Sequence, residues 1–518
     1  MESSNVPSVS GGETRLFNDY ESMLVSSTCN VGLTCRIRAV GSALESQIRA
    51  AWEATVRQRR MLQIRLVSGG MGSMGTKYHA ADAIDDSTLS TITFQTSSGL
   101  STLQEIQRQG TQDLDVSNRS YVMAVTMDNG DSKEKVSNNE FQNVTFLMTL
   151  CHAVSDGPGT LYVMHDFLTN LQSQLEVQST ETMSPEKHHS LVDVQALLLG
   201  KEYGAAKAIN EKCYQDVSQF SLIAFAAPYS INEKCYQDVS QFSQRVMSGA
   251  TQAVTGTTDA SLAIDILPPE SLQNLPCDRP LPHPSEIRVE SFTLSKEETK
   301  QLRTTCREWN GTIQGALSVV SLMARLRLLS QTTNRTECVV QVPINCRNSA
   351  NVALENCLCG SAGVLIRLIM DPVSRFSSLV TSASSQVQES IQQSQHVEWL
   401  RRLLNDPATM QPYSLMASSI GVASIREHYG ETVSVEKGLF FGGSLSQPEP
   451  TPHRATMVHA TTFVDRLQVS FNYSWPGVSA AAAQQSSHDI KQLLLAIANG
   501  RITHPSTLQD GYSLIEQG

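Results

Sequence analysis

The segment Cys151-His152-Ala153-Val154-Ser155-Asp156-Gly157 carries the chain's best candidate for chemistry. An imidazole titrates near neutrality. His152 can therefore act as a general base if it is held neutral, in one tautomer, and open to a cleft. The apolar, β-prone run 144–151 leads straight into it, and Gly157 and Gly159 follow. A turn at the end of a buried strand holds a side chain in place, and glycines let the chain turn sharply and a substrate approach the backbone. Asp156 suits a structural ion pair better than a direct relay, because the turn can aim its carboxylate away from the ring. A second H-x-x-x-D, His189 to Asp193, preceded by His188, has no following glycine and no buried strand before it. It is set aside.

The elements that must position His152 can be read from periodicity. A strand is expected at 31–38. Ser42 with Glu45 spells a capping box, and Leu44, Ile48, Trp52 and Val56 recur at helical spacing, so the pattern predicts a helix over 43–58. Strands are expected at 61–67 and 121–127, the latter pairing as a hairpin with 144–151 across a polar loop. Residues 161–171 have helical character behind the His152 turn. In the second half, the readings are a strand at 288–294, then a Ser295/Glu298 capping box opening a helix to about Trp309. Thr312 caps the next helix. Strands follow at 338–344 and 360–370, then one long helix over 374–405. A strand pair at 457–464 and 467–473 precedes a final helix at 484–498. Strands and helices mix without strict alternation, which predicts α/β (α+β) layers in two related halves.

Length and composition agree with that. A chain of 518 residues, 40% hydrophobic, suits two subdomains of roughly 200 residues each. The expected division is a flexible tail at 1–13, an N-terminal subdomain at 14–180, a polar linker at 181–270 and a C-terminal subdomain at 271–518. Within the linker, residues 209–221 recur without a mismatch at 231–243. One perfect copy is not a solenoid, and a connector tolerates insertion. A net charge of -11 excludes the basic face of a nucleic-acid binder. Eleven cysteines without paired spacing read as reduced core thiols, Cys357 and Cys359 included, and no metal site is expected. No apolar stretch reaches the ~18 residues of a membrane span. Residues 1–13 lack the basic and apolar regions of a secretory signal. A cytoplasmic monomer is the expectation. Gly70-Met71-Gly72-Ser73-Met74-Gly75 fits G-x-G-x-x-G, but a dinucleotide site needs a helix to open there; the polar continuation predicts a flexible loop instead. There is no G-x-S-x-G elbow, which disfavours an α/β-hydrolase.

The His152 segment resembles the H-x-x-x-D-G signature of the chloramphenicol-acetyltransferase-like superfamily. That group includes plant acyltransferases, condensation domains of peptide synthetases, and fungal alcohol and trichothecene O-acetyltransferases. Arg59-Arg60-Met61-Leu62, the strand-to-helix opening 292–298, Val342-Pro343-Ile344-Asn345-Cys346-Arg347 and Ser418-Ser419-Ile420-Gly421-Val422 are similar to further segments of that superfamily. The likeness extends over nearly all of the chain outside 1–13 and about 180–270. Cys151 stands where condensation domains usually carry a second histidine, and the D-F-G-W-G segment of the plant enzymes is missing; the fungal O-acetyltransferase branch fits best. The resemblance implies two subdomains with a tunnel between them, and His152 as general base. Asp156, Gly157 and Arg347 would be structural at the site, with Asp156 paired to an arginine for which Arg347 is a candidate and Arg59 and Arg65 are others. Acetyl-CoA or another acyl-CoA would be co-substrate, with acyl carrier protein as the alternative donor, and a small hydroxylated metabolite the acceptor. The same scaffold could instead promote cyclisation, dehydration or condensation of a polyketide or terpenoid, or merely bind a ligand. Neither the CoA-binding residues nor the oxyanion donor is identified, though the 457–473 strand pair is where a donor is sought.

Overall fold

The computed structural model describes residues 15–17, 21–22, 24–38, 43–72, 75–82, 92–96, 114–117, 119–127, 141–176, 265–266, 275–278, 283–350, 352–353, 359–405, 413–444, 447–451 and 456–517. The tail at 1–13, His188, His189, Asp193, the duplicated segment and Cys357 lie outside them. The first half supplies β1 (Arg15–Leu16), β2 (Ser27–Arg38), β3 (Ile64–Gly72), β4 (Gly75–Asp82), β5 (Ile92–Thr96), β6 (Tyr121–Met127) and β7 (Phe141–Cys151). Its helices are α1 (Leu44–Gln58) and α2 (Gly157–Glu176). The second half opens with β8 (Asp265–Ile266), β9 (His283–Thr293), α3 (Lys296–Glu308), α4 (Ile313–Leu328), β10 (Thr336–Asn345) and β11 (Ser361–Met370). Then come α5 (Phe376–Gln392), α6 (Gln395–Asn405), β12 (Leu415–Val422), β13 (His428–Tyr429), β14 (Val433–Ser444) and β15 (Gln447–Thr451). The chain closes with β16 (Thr456–Phe463), β17 (Arg466–Trp475), α7 (Ala480–Ala498) and α8 (Leu508–Glu516).

Two large mixed sheets organise these elements. One runs β13-β14-β2-β7-β6-β5; the other runs β11-β10-β12-β16-β17-β9-β15, with β8 beside β10. Each has its own hydrophobic core under helices. In the first, Trp52 of α1 packs edge-on against Tyr121 and Phe167, at centroid distances of 5.2 and 5.9 Å. Burying such side chains is worth roughly 1.5–3 kcal/mol each. In the second, α4 is apolar nearly all round and sits between sheet and outer helices. The two halves are stitched together by a crossover. Strand β14 leaves the second half and pairs antiparallel with β2, Leu439 opposite Gly32 and Gly443 opposite Thr28. Its Phe440, Val433 and Val435 complete the first core. The division at 271 leaves no place for this exchange, because crossover strands carry no sequence mark of which sheet they join. The linker's end likewise already belongs to the second sheet, through β8.

The strand pair β6–β7, the Ser295 capping box and the Thr312 cap form as expected. Other expectations need correction. The helix α1 runs Leu44–Gln58, close to the expected 43–58, with no side-chain cap from Ala43 and with Glu45 bound to Arg49 four residues on; Ser42 of the expected capping box lies outside the described residues. The strand expected at 61–67 is a 3-10 turn at Arg60–Leu62 followed by β3. The glycine-rich stretch is no loose loop: β3 and β4 run antiparallel through it to Gly72 opposite Gly75, and no helix opens there. The long helix is two, α5 and α6, broken at Ser394, whose φ is +56°. The turn of the β16–β17 hairpin is Val464-Asp465, both with positive φ. Residues 484–498 are not the last helix, since α8 follows. Of the eight described cysteines, all free, Cys277 alone is exposed.

Candidate active site

His152 is the first residue beyond β7. Its N–H donates to the Ser27 carbonyl at 2.8 Å, continuing the β2–β7 ladder by one step. The chain then turns on two bonds to the Cys151 carbonyl, from the N–H groups of Val154 (3.1 Å) and Ser155 (3.2 Å). Asp156 starts α2, its carboxylate accepting from the Gly159 N–H at 3.1 Å as an N-cap does. The same carboxylate accepts both Arg347 terminal nitrogens at 2.7 Å and the Gly360 N–H at 2.9 Å. Arg347 is wholly buried, and Asp156 is 2% exposed. Burial alone would raise the Asp156 pKa; the Arg347 guanidinium and the two N–H donors outweigh it and hold the carboxyl below its ordinary range. With both oxygens engaged elsewhere, Asp156 is a structural anchor and not a relay. Arg347 follows β10, so this ion pair bolts the His152 turn to the second sheet. Asn345 holds the arginine in place, its Oδ1 accepting from the Arg347 backbone N–H at 3.1 Å and from Nη1 at 3.3 Å. Of the other candidates, Arg59 pairs with Asp166, and Arg65 lies on β3 with no part in the Asp156 cluster.

Glycine is required beside this anchor. A methyl on Gly159 would stand 2.8 Å from Ser155 Oγ and 3.1 Å from Arg347 Nη2. At Gly157 it would meet Ile420 Cδ1 at 3.0 Å and Phe440 Cζ at 3.2 Å. The segment 418–422 is thus brought onto the His152 turn through Ile420 of β12. The β12 backbone is held by Gln314 of α4, which donates to the Ala417 carbonyl and accepts from the Ser419 N–H.

The His152 ring is partly exposed. Its Nδ1 is buried, with its own backbone carbonyl as the neighbouring acceptor but at no regular hydrogen-bond geometry, and Nε2 is the nitrogen left with accessible surface. Desolvation lowers its pKa below the ordinary 6.5, more strongly than its own backbone carbonyl and the Asp156 charge raise it. The ring is therefore neutral at pH 7, with Nε2 at its edge free to take a proton. The neighbouring Cys151 is no substitute base, because burial pushes its thiol up to about 12.

A second histidine belongs to this site and escaped the sequence reading. His459 on β16 is 9% exposed. Its Nδ1 lies 2.6 Å from Asn472 Nδ2 on β17. Its ring stacks edge-on to Phe440 at 5.5 Å, the ring that also covers Gly157. Desolvation, and then the proximity of His152, bring its pKa down to about 4. Nothing local marks it: Met457-Val458-His459-Ala460 reads as an ordinary buried strand, and only the packing of β16 against β14 of the other sheet brings it near His152. A cavity of about 120 Å³ lies at the other end of β14, against Lys437, Phe463 and Arg466, and has no part in this site. Among the described residues no cluster of His, Cys, Asp and Glu suits a metal ion, and no helix is long and apolar enough to cross a membrane.

No family model and no curated protein sequence matches the chain. Solved structures do. Trichothecene 15-O-acetyltransferase from Fusarium sporotrichioides is 10% identical, with a TM-score of 0.60 over 94% of this chain and 97% of that one. Polyketide synthase associated protein 5 from Mycobacterium tuberculosis is 13% identical, at 0.57 over 94% and 98%. The first condensation domain of the calcium-dependent antibiotic synthetase is 15% identical, at 0.56 over 94% and 93%. With its two mixed sheets, its crossover strand and helices packed outside, the chain has the two-subdomain α/β fold of the chloramphenicol-acetyltransferase-like proteins.

Proposed function

We propose that the chain is an O-acyltransferase that moves a short acyl group, acetyl first, from a CoA thioester to a hydroxyl of a small apolar secondary metabolite. The observation that carries this is His152: a neutral imidazole at a strand end, Nδ1 sealed and Nε2 reachable, on a turn bolted by Asp156 and Arg347. In this reading the thioester and the acceptor reach the ring by a tunnel between the subdomains, from opposite faces. His152 Nε2 takes the acceptor's hydroxyl proton as its oxygen attacks the thioester carbonyl. The tetrahedral oxyanion collapses, the C–S bond breaks, and the thiolate leaves with the proton from His152. Such base catalysis is worth about 10²–10⁴-fold. An acyl carrier protein could present the same thioester. The fold likeness to an acetyltransferase supports this reading, and the inert Cys151 in place of a second histidine speaks against peptide-bond condensation.

The test is a panel of acyl-CoAs and hydroxylated metabolites read by mass spectrometry, with His152→Ala as control. An acyl adduct from the wild type and at least a hundredfold loss in the variant is the expected result. Product formed without any thioester would favour cyclisation or dehydration on the same scaffold. Undiminished turnover by His152→Ala would overturn the assignment.

A further inference from the structure

We propose that His459, oriented by Asn472, is the hydrogen-bond donor that stabilises the oxyanion of the transfer reaction. The inference rests on the acyl-transfer reading above and adds the group that reading lacks.

The strand ladders place the two imidazoles over the same space. Leu150, Cys29 and Gly442 are successive partners across β7, β2 and β14. His152 lies one residue past β7, and its bond to the Ser27 carbonyl carries the ladder on by that step, so the alternation sets it on the same face as Leu150. His459 stands on that row at its other end: a methyl on Gly442 would meet His459 Cε1 at 3.2 Å and Nε2 at 3.7 Å. Two strand spacings of ~4.8 Å separate Leu150 from Gly442, roughly 10 Å at the backbone; Phe440, beside Gly442, packs on both His459 and the Gly157 turn, and charge on His152 lowers the His459 pKa. The absent side chain at Gly442 is what leaves room for the second ring.

The tautomer of His459 follows from its neighbours. Asn472 Nδ2 also faces the Met457 carbonyl, at 3.4 Å. A carbonyl can only accept, so the amide nitrogen, and not the amide oxygen, is on that side. One N–H goes to Met457, the other to His459 Nδ1. A ring nitrogen that accepts carries no proton, so the proton of the neutral ring is on Nε2. That nitrogen has no hydrogen-bond partner among the described residues. A buried imidazole with its acceptor nitrogen occupied cannot compete as a base. It can only offer an N–H, held at a fixed angle, to oxygen in the space it shares with His152. As the acceptor oxygen bonds to the thioester carbon and its proton passes to His152 Nε2, the carbonyl π electrons move onto oxygen. His459 Nε2–H donates to that oxygen and releases it when the C=O re-forms and the C–S bond breaks. Donors of this kind are worth about 10²–10³-fold in kcat.

Two measurements test it. In protein labelled with ¹⁵N-histidine, the ring signal lost in His459→Gln should show protonated Nε2, bare Nδ1 and no imidazolium at pH 6. An Nδ1–H tautomer, or a charged ring at that pH, overturns the proposal. Thiol release from acetyl-CoA with the acceptor found in the panel should fall 10²–10³-fold in kcat for His459→Leu, with KM for acetyl-CoA within about threefold. His459→Gln, which keeps an N–H donor, should recover at least tenfold over His459→Leu. Asn472→Leu should lose activity while its His459 ring signal becomes a tautomer mixture. A His459→Leu enzyme within fivefold of wild type, or one that fails only in KM, overturns the donor role. A wild type that transfers no acyl group overturns the transfer reading alone, and the ring-nitrogen signals still decide the tautomer.

Discussion

His152 and His459 are both histidines kept neutral by burial, and burial has a cost that pH reveals. In the unfolded chain each would take a proton near pH 6.5; in the fold His459 does so only near 4. Below pH 6.5 the unfolded state therefore binds more protons, and stability falls as pH drops from about 6.5 to about 4. For His459 the full difference is on the order of 3 kcal/mol. Urea midpoints measured from pH 7 to pH 5 should decline in the wild type and decline less in His459→Gln; equal slopes would contradict the buried-neutral state. On the proposed acyl-transfer reading, the same depression at His152 should set the acid limb of kcat/KM below pH 6.5. Asp156 acts on both scales. Its charge raises the His152 pKa, so Asp156→Asn should shift that acid limb further down. The substitution also leaves Arg347 buried without its counter-ion, a loss of about 3–5 kcal/mol, measurable by denaturant titration. A near-native midpoint would mean Arg347 finds another partner.

At the level of elements, the turn between β7 and α2 is built around missing side chains. The Asp156 cap, the Arg347 guanidinium and Ser155 fill the volume that a methyl at Gly159 would need. Overpacking of this kind costs about 1–3 kcal/mol. Gly159→Ala should therefore lower Tm and, by displacing the carboxylate, lower kcat. Ser295→Ala makes a useful contrast. It removes a capping box far from His152, worth about 1 kcal/mol, and should lower Tm while leaving kcat unchanged. If both variants lose activity in step with stability, the Gly159 turn has no special link to the site.

For the whole molecule, the decisive feature is the exchange of β14. The first sheet has its central strand β2 flanked on one side by β7 and on the other by a strand from the second half. Asn30, buried in β2, spends its amide on the Phe441 carbonyl of β14 and on Thr28, while Thr149 donates to its oxygen. Residues 14–180 expressed alone would bare that strand edge and lose Phe440, Val433 and Val435 from the core. Exposed strand edges pair with whatever is available. The fragment should be insoluble or unfolded by far-ultraviolet circular dichroism, and a soluble, cooperatively folding fragment would show the first sheet to be self-sufficient. The Asp156–Arg347 pair makes the same point from the catalytic side, since it joins the first subdomain's turn to the end of β10.

By itself the sequence determined the local structure and half of the site. Short apolar, β-prone runs marked β6, β7 and the β16–β17 hairpin, Ser295 and Thr312 announced their helices, and His152, Asp156 and the glycines lie within eight consecutive residues, where spacing is legible. It placed α1 at 43–58, within one residue of the helix found. It ran α5 and α6 together because Ser394 can take a left-handed turn without being glycine. Only the tertiary structure chose Arg347 over Arg59 and Arg65, moved β14 into the other sheet, and set His459 beside His152. Those decisions rest on contacts between residues up to 411 positions apart, where no periodicity reaches and only the packing of one sheet on another decides which side chains share a space.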